Sequence, residues 1–303
     1  MTTAPASLPA VAGDGALVAG TSLWRDAWKR LRKNRAAVAG GVVTVLLMLA
    51  CFLGPLAVKA LWGYGFADQN LAYGARAPSA RHWFGTDYFG RDLLTRVLYG
   101  GQISLVVGLL SATVAALIGT IYGAISGYAG GRVDGAMMRA VDIIYALPYM
   151  FLIIILATMF QRSLVMLFLA LGFVGWLTTA RIVRGQTLSL KEREFVQAAR
   201  SVGTGARGIL FRHLIPNALG PIIVYFTLTV PSMILQEAFL SFLGLGVQAP
   251  RPSLGALISD GARHMSVFWW ELAFPGAVMA LLLFCLNFLG DGLRDALDPQ
   301  MKR

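Results

Sequence analysis

The sequence is short of charge. Asp, Glu, Lys and Arg together make up 14% of its 303 residues, where a soluble domain carries about 25%. Hydrophobic residues reach 57% and mean hydropathy is +0.66. That leaves too little polar surface to keep the chain dispersed in water. A soluble enzyme and a disordered protein are both poor readings. Cysteine is scarce as well. Cys51 and Cys285 each sit inside an apolar run, which argues against a disulfide scaffold and reads as two free packing thiols. His82, His213 and His264 stand apart from one another and from cysteine, so metal-ligand spacing is absent. None of the five lysines follows a glycine, so there is no G-x-x-x-x-G-K-[ST] loop to cradle a nucleotide phosphate. H-E-x-x-H, G-x-S-x-G and a G-x-G-x-x-G following a strand are also missing. The chain reads as a non-enzyme with no cofactor of its own.

What it has is apolar runs. Six are visible, at about 36–58, 103–125, 141–160, 164–180, 218–243 and 272–290. About 20 residues at 1.5 Å rise cross a ~30 Å hydrocarbon core, so an all-α integral membrane protein with six transmembrane helices is expected. The third run is taken as one uninterrupted span, and the fourth is short. Residues 1–22 read as a disordered tail, and the basic run Trp28–Arg35 holds the first span as an uncleaved anchor.

The net charge of +11 suits an anionic lipid surface rather than nucleic acid, because the basic residues lie between apolar runs. With both termini inside, eighteen of the 26 Lys and Arg fall on the cytoplasmic side; the opposite orientation inverts that bias. The expected division is a cytoplasmic tail 1–35, a first span 36–58 and an extracytoplasmic segment 59–102. A core 103–291 then holds five helices and a cytoplasmic loop 181–217, and a tail 292–303 follows. Phe268, Trp269 and Trp270 form an interfacial belt before the last span.

The spans offer little buried charge for an ion-driven carrier. Asp142 and Asp291 sit near cytoplasmic ends and Glu237 toward the external end of span five, so the driving energy is expected from elsewhere. The internal loop suggests where. In Glu194–Asn217, a helical reading puts Phe195, Ala198, Ala199 and Val202 on one face, with Arg193, Gln197 and Arg200 on another. Gly203 and Gly205 stop that helix, and Pro216 breaks the chain before span five. The helix suits docking into a groove of a cytosolic partner; lying on lipid headgroups is the alternative.

Four further patterns carry weight. Ser111, Ala115, Gly119, Gly123 and Gly127 fall four apart on span two, a small-residue ridge for close helix approach, within this chain or against a partner subunit. Tyr225, Thr229, Ser232 and Gln236 share a face of span five, with Glu237 alongside. They line a solute pathway or serve as interhelical hydrogen-bond glue. In Phe84–Gly108, Asp87 and Asp92 cap helix starts or pair with Arg91 or Arg96. At the C-terminal end, Asp291, Arg294, Asp295 and Asp298 are spaced for helical ion pairs.

Gln197-Ala-Ala, Gly203 and His213-Leu-Ile-Pro216 resemble the EAA loop of binding-protein-dependent ABC importers, E-A-A-x3-G-x9-I-x-L-P. Gln197 stands for the usual Glu and His213 for the usual Ile. Phe84–Gly108, Val230–Gly246 and Asn287–Pro299 resemble the C-type permeases of the oligopeptide/dipeptide branch. The resemblance implies a type I ABC importer fold in a bacterial cytoplasmic membrane, passing peptides, with nickel or another small peptide-like solute as the alternative. It also implies a heterodimer with a B-type permease, two ABC ATPases that bind ATP and Mg, and an extracytoplasmic substrate-binding protein. A membrane scaffold without transport is the reading from another class.

Overall fold

The computed structural model describes residues 23–159 and 163–297. Among these the regular structure is helical apart from one antiparallel bridge between Thr86 and Asp92. A short amphipathic α1 (Leu23–Lys33) precedes α2 (Arg35–Trp62) and α3 (Leu93–Ala129). The chain continues through α4 (Gly131–Tyr145), α5 (Tyr149–Met159), α6 (Leu164–Leu190) and α7 (Glu194–Ser201). A single turn α8 (Ala206–Gly208) and a π-helical turn (Ile209–Leu214) lead without interruption into α9 (Ile215–Phe242). Then come α10 (Leu254–His264) and α11 (Trp269–Leu297).

Five stretches are long and apolar enough to cross a membrane: α2, α3, α6, Ala206–Phe242 and α11. The pair α4 and α5 makes a sixth if it counts as one broken span. Their outer surfaces carry exposed Leu53, Leu56, Phe151, Ile155 and Phe284, as expected of lipid-facing helices.

Helix ends follow local chemistry. Asn34 accepts from the Ala37 N–H at 3.2 Å, Asp92 from the Thr95 N–H at 2.8 Å and Ser163 from the Met166 N–H at 3.2 Å. Each satisfies an orphan donor of a first turn. The corner between α3 and α4 needs two residues at positive φ, Gly130 at 65° and Gly131 at 53°, which only glycine adopts without strain.

The expected boundaries shift in several places. The first span extends to Trp62 and α3 starts at Leu93, so the segment between them is 63–92 rather than 59–102. The third run is not one straight span: Ala146–Pro148 interrupts it and the two arms bend by 82°. Proline disfavours helix in the residue before it and lacks an N–H. The fourth run is not short, because α6 continues through polar residues to Leu190. The last helix reaches Leu297, past the expected start of the tail at 292. The tail 1–22 and Asp298 lie outside the described residues.

The small-residue ridge is buried along its whole length, and it faces α6 of the same chain rather than a partner subunit. A Cβ on Gly119 would lie 2.6 Å from the Thr179 Cβ, and one on Gly123 2.3 Å from the Ala180 carbonyl oxygen. Gly127 meets Thr187 and the Arg184 carbonyl, and from the other side Gly172 meets Val114 and the Ser111 carbonyl. At each of these positions the bare glycine backbone lies against a neighbouring carbonyl or the stem of Thr179, Thr187 or Val114, leaving no space for a Cβ. The main core gathers around this pair, with Leu105, Leu171, Ile234, Leu240 and Leu254 fully buried. A second, smaller cluster forms at one end from Ala124, Val183, Val196, Ile209, Leu210 and Leu214. Cys51 and Cys285 are free and buried.

Candidate functional site

Two features carry functional geometry: the short helix α7 at one end of the bundle, and a cavity bounded by α4, α5, α6 and α9.

In α7 the residue that turns inward is Val196, fully buried in the smaller cluster. Phe195 is 39% and Val202 86% exposed, and Ala198 is exposed with Ala199 half-buried. The expected apolar face is therefore the free face, and a second apolar contact holds the helix down. Amphipathic spacing in eight residues could not say which apolar side meets the chain. Arg200 lies over the Tyr128 ring at 5.4 Å, tying α7 to the end of α3.

The helix stops where expected. Gly203 has φ +84°, the left-handed conformation that closes a helix. The Thr204 N–H donates to the Ala199 carbonyl and the Gly203 N–H to the Arg200 carbonyl. Gly205 has ordinary φ and instead precedes α8. Pro216 does not break the chain. It lies within the continuous helical stretch Ala206–Phe242, two residues past the π-helical turn, where a proline's missing N–H and ring locally break the regular hydrogen-bond ladder. The π-helical turn ahead of it carries the Ile215 N–H back to the Leu210 carbonyl. His213 is half-buried, and its carbonyl accepts from the Asn217 amide at 2.6 Å.

The polar row of α9 lies on a cavity of about 530 Å³, which Tyr225, Thr229, Ser232 and Gln236 all line. Tyr145, Tyr149 and Thr178 add polar groups from the opposite side, and no lining residue carries a charge. The Thr229 hydroxyl donates to the Tyr225 carbonyl at 2.6 Å, and that of Ser232 faces the Leu228 carbonyl at 3.5 Å. Both hydroxyls bond within their own helix, so neither is glue between helices. Gln236 does reach across: its side-chain oxygen accepts from the Tyr149 hydroxyl. On the near side of the break, Tyr145 bonds the Thr178 hydroxyl at 3.1 Å and lies beneath Arg181 at 4.3 Å.

Glu237 departs from the expectation. It does not line the cavity but is fully buried on the other side of α9. Ser104 of α3 donates to its Oε2 at 2.9 Å and Ser241 to its Oε1 at 2.7 Å, and Ser253 stands 3.3 Å from Ser241. One residue further along a helix turns the side chain by about 100°, enough to move it from the cavity wall into the seam with α3 and α10. Ser104 and Ser253 were invisible as its partners in the sequence, the first lying 133 positions away.

Polar ties hold α4. Arg184 grips Asp134 through both oxygens at 2.6 Å, and Ser126 donates to the same carboxylate. Arg181 pairs with Asp142 at 2.7 Å, and the Tyr122 hydroxyl donates to the Met137 carbonyl at 2.9 Å. Both arginines sit on α6, whose far end leads into α7.

At the opposite end, Asp92 caps α3 and pairs with His82 at 2.8 Å. Asp87 pairs with Arg91 at 2.7 Å and Arg96 at 3.3 Å. The Trp270 indole donates to the Thr86 carbonyl at 3.1 Å, so the belt tryptophan is also a buried anchor. The expected pairs around Arg294 are not formed among the described residues, since neither Asp291 nor Asp295 meets it as an ion pair; Asp298 lies outside that set.

Residues 119–303 match the family described as binding-protein-dependent transport system inner membrane component. Residues 22–78 match the N-terminal transmembrane domain of oligopeptide transport permease C. The oligopeptide transport system permease protein OppC of Escherichia coli (strain K12) is 52% identical over 285 residues, covering 93% of each chain. OppC of Haemophilus influenzae is 50% identical over 285 residues, covering 93% of this chain and 90% of that one. The dipeptide transport system permease protein DppC of Bacillus subtilis (strain 168) is 45% identical, covering 93% and 87%. Among solved structures, an inward-facing MetNI methionine ABC transporter chain aligns with a TM-score of 0.54 and 17% identity. It covers 67% of this chain and 96% of that one, a likeness of fold.

Proposed function

Because the chain belongs to the family of inner membrane components of binding-protein-dependent transport systems, we propose that it passes peptides across the bacterial cytoplasmic membrane as the permease subunit of an ATP-driven importer. Relatives named for oligopeptide and dipeptide transport support the substrate class. The observation that carries the mechanism is the uncharged cavity lined by the four polar residues of α9. Peptide groups need hydrogen-bond partners along the way, and neutral hydroxyls and amides supply them without holding the solute tightly. Nickel, the alternative cargo, would call for carboxylate, thiolate or imidazole donors, and the lining has none. A scaffold has no use for such a cavity.

In this reading the 1–35 and 292–303 segments are cytoplasmic and 63–92 is extracytoplasmic. A B-type permease completes the pathway, a binding protein delivers substrate, and two ATPases bind ATP and Mg. The exposed side of α7, with Phe195, Gln197, Ala198 and Val202, docks on an ATPase. Ala199 and Gly203 shape that helix, and His213 and Pro216 carry it into α9. Closure of the ATPase dimer pushes α7, which moves α6 and the π-helical turn, and the cavity changes the side to which it opens.

The test is uptake of labelled peptide into vesicles holding the full complex. ATP-dependent uptake that needs this subunit is the expected result; ATP hydrolysis without uptake of any peptide would sink the reading. Orientation is tested by thiol labelling from outside intact spheroplasts. Gly74 has φ +63° and resists a side chain, so Ala80→Cys is the external probe and should label. Ser201→Cys should not.

A further inference from the structure

We infer that this cavity reads a passing peptide by its backbone amides alone: Tyr149 and Gln236 exchange their mutual hydrogen bond for bonds to a peptide group, and side chains of either charge pass without preference. The inference rests on the reading of the cavity as the pathway and names what the pathway recognises there.

The donors and acceptors support it. The Gln236 side-chain oxygen is taken by the Tyr149 hydroxyl, while its amide N–H groups donate to no other group among the described residues. A primary amide offers one acceptor and two donors, and a peptide group offers one of each. When the Tyr149 hydroxyl swings away, Gln236 can meet a peptide group through two bonds, accepting from its N–H and donating to its C=O. The tyrosine hydroxyl acts as donor or acceptor and can serve the next peptide group. Thr229 and Ser232 spend their hydrogens on their own helix and keep lone pairs for passing N–H groups.

The energetics suit passage rather than capture. Swapping one neutral hydrogen bond for another changes free energy little. Consecutive peptide groups recur every ~3.5 Å along an extended chain, so each step repeats the same exchange. A fixed charge would hold oppositely charged side chains and repel like ones, strongly so out of water. Arg181, which lies over the lining residue Tyr145, is paired with Asp142 at 2.7 Å, and Glu237, beside Gln236, is held by Ser104 and Ser241; all three charged groups lie outside the lining. Tyr149 and Gln236 also stand where exchange can be felt. Tyr149 is the first residue of α5 after the break at Ala146–Pro148, and Gln236 is on α9. Releasing their bond unties the α5 arm from α9.

The test uses the assembled importer in proteoliposomes with three probes: trialanine, and the same tripeptide with central Lys or central Glu. Rates of each variant are divided by wild-type rates for the same peptide, so that selection by the binding protein cancels. Gln236→Glu should shift the Lys-to-Glu uptake ratio about tenfold toward Lys. Gln236→Leu should lower uptake of all three peptides by about tenfold and leave their ratio unchanged. ATP hydrolysis stimulated by loaded binding protein reports assembly. If Gln236→Glu does not assemble, Ser232→Asp places a charge on the same wall and should give the same shift. An unchanged ratio in an assembled charged variant overturns the inference and leaves the permease reading intact. Failure of the wild-type complex to take up any of the three peptides removes both.

Discussion

Helix α6 meets its neighbours in two different ways. Against α3 it packs glycine backbone onto carbonyls and short side-chain stems, with glycines on both sides of the seam and no room for a single added methyl at Gly123. Against α4 it makes polar ties: Asp134 with Arg184, Asp142 with Arg181, and Tyr145 with Thr178. Tyr149 and Gln236 extend the same style of contact from α5 to α9. A steric seam has one arrangement and fails if it opens, whereas neutral and ionic bonds exchange partners at small cost. The molecule thus separates a stiff pair, α3 with α6, from a jointed arm, α4 with α5, and the cavity lies beside the joint.

The seam should be the least forgiving region. Gly123→Leu forces a branched side chain onto the Ala180 carbonyl, and overpacking of this kind costs about 1–3 kcal/mol or more. The expected outcome is loss of folded protein, read as a collapse of the monodisperse peak after detergent extraction. Normal yield and stability would show that the seam can open.

The coupling end should lose transport and keep its fold. Ala198→Asp puts a charge on the exposed docking side, and Gly203→Leu places a side chain at φ +84°, costing about 1–2 kcal/mol. Both variants should insert normally while peptide uptake falls about a hundredfold, the loss expected when about 3 kcal/mol of docking is removed. Normal uptake by both would take α7 out of the mechanism.

The arm should respond more mildly. Asp134→Asn leaves Arg184 without its anion, and a partly buried pair of this kind is worth about 1–3 kcal/mol. Thermal stability should drop by a few degrees, and uptake should fall more than stability alone accounts for. Equal losses in both would make the pair a plain structural rivet. Smallest of all, Val196→Ala removes two methyl groups from the minor cluster at about 1–2 kcal/mol. It should loosen α7 enough to raise its amide exchange without unfolding the bundle.

Much of this was legible in the sequence. Hydropathy located the spans, the four-residue spacing found the seam on α3, and a four-three-four spacing found the cavity row on α9. Gly203 announced the end of α7. What escaped needed three dimensions or a smaller cue. Hydropathy does not register Pro148, so an apolar run of span length hid an 82° bend. The ridge on α3 could not name its partner, because a small-residue face fits any helix that can come close. Glu237 sits one position from Gln236, and only the placement of Ser104 and Ser253 puts it in a cage instead of the cavity. Val196 was hidden because a helix of two turns offers two apolar faces and gives no sign of which one the chain covers.

The most direct measurement is thiol accessibility along α9 in the assembled complex. Cysteines at Thr229 and Ser232, on the cavity wall, are compared with Leu235, which lies outside the cavity and is 54% exposed on the surface. The two cavity positions should react with a small water-soluble thiol reagent, change in reactivity when nucleotide traps another state, and be protected by peptide. Leu235→Cys should show neither nucleotide dependence nor protection. If Thr229→Cys and Ser232→Cys stay unreactive in every state, or react without regard to nucleotide and peptide, the cavity beside the joint is not the path that the peptide takes.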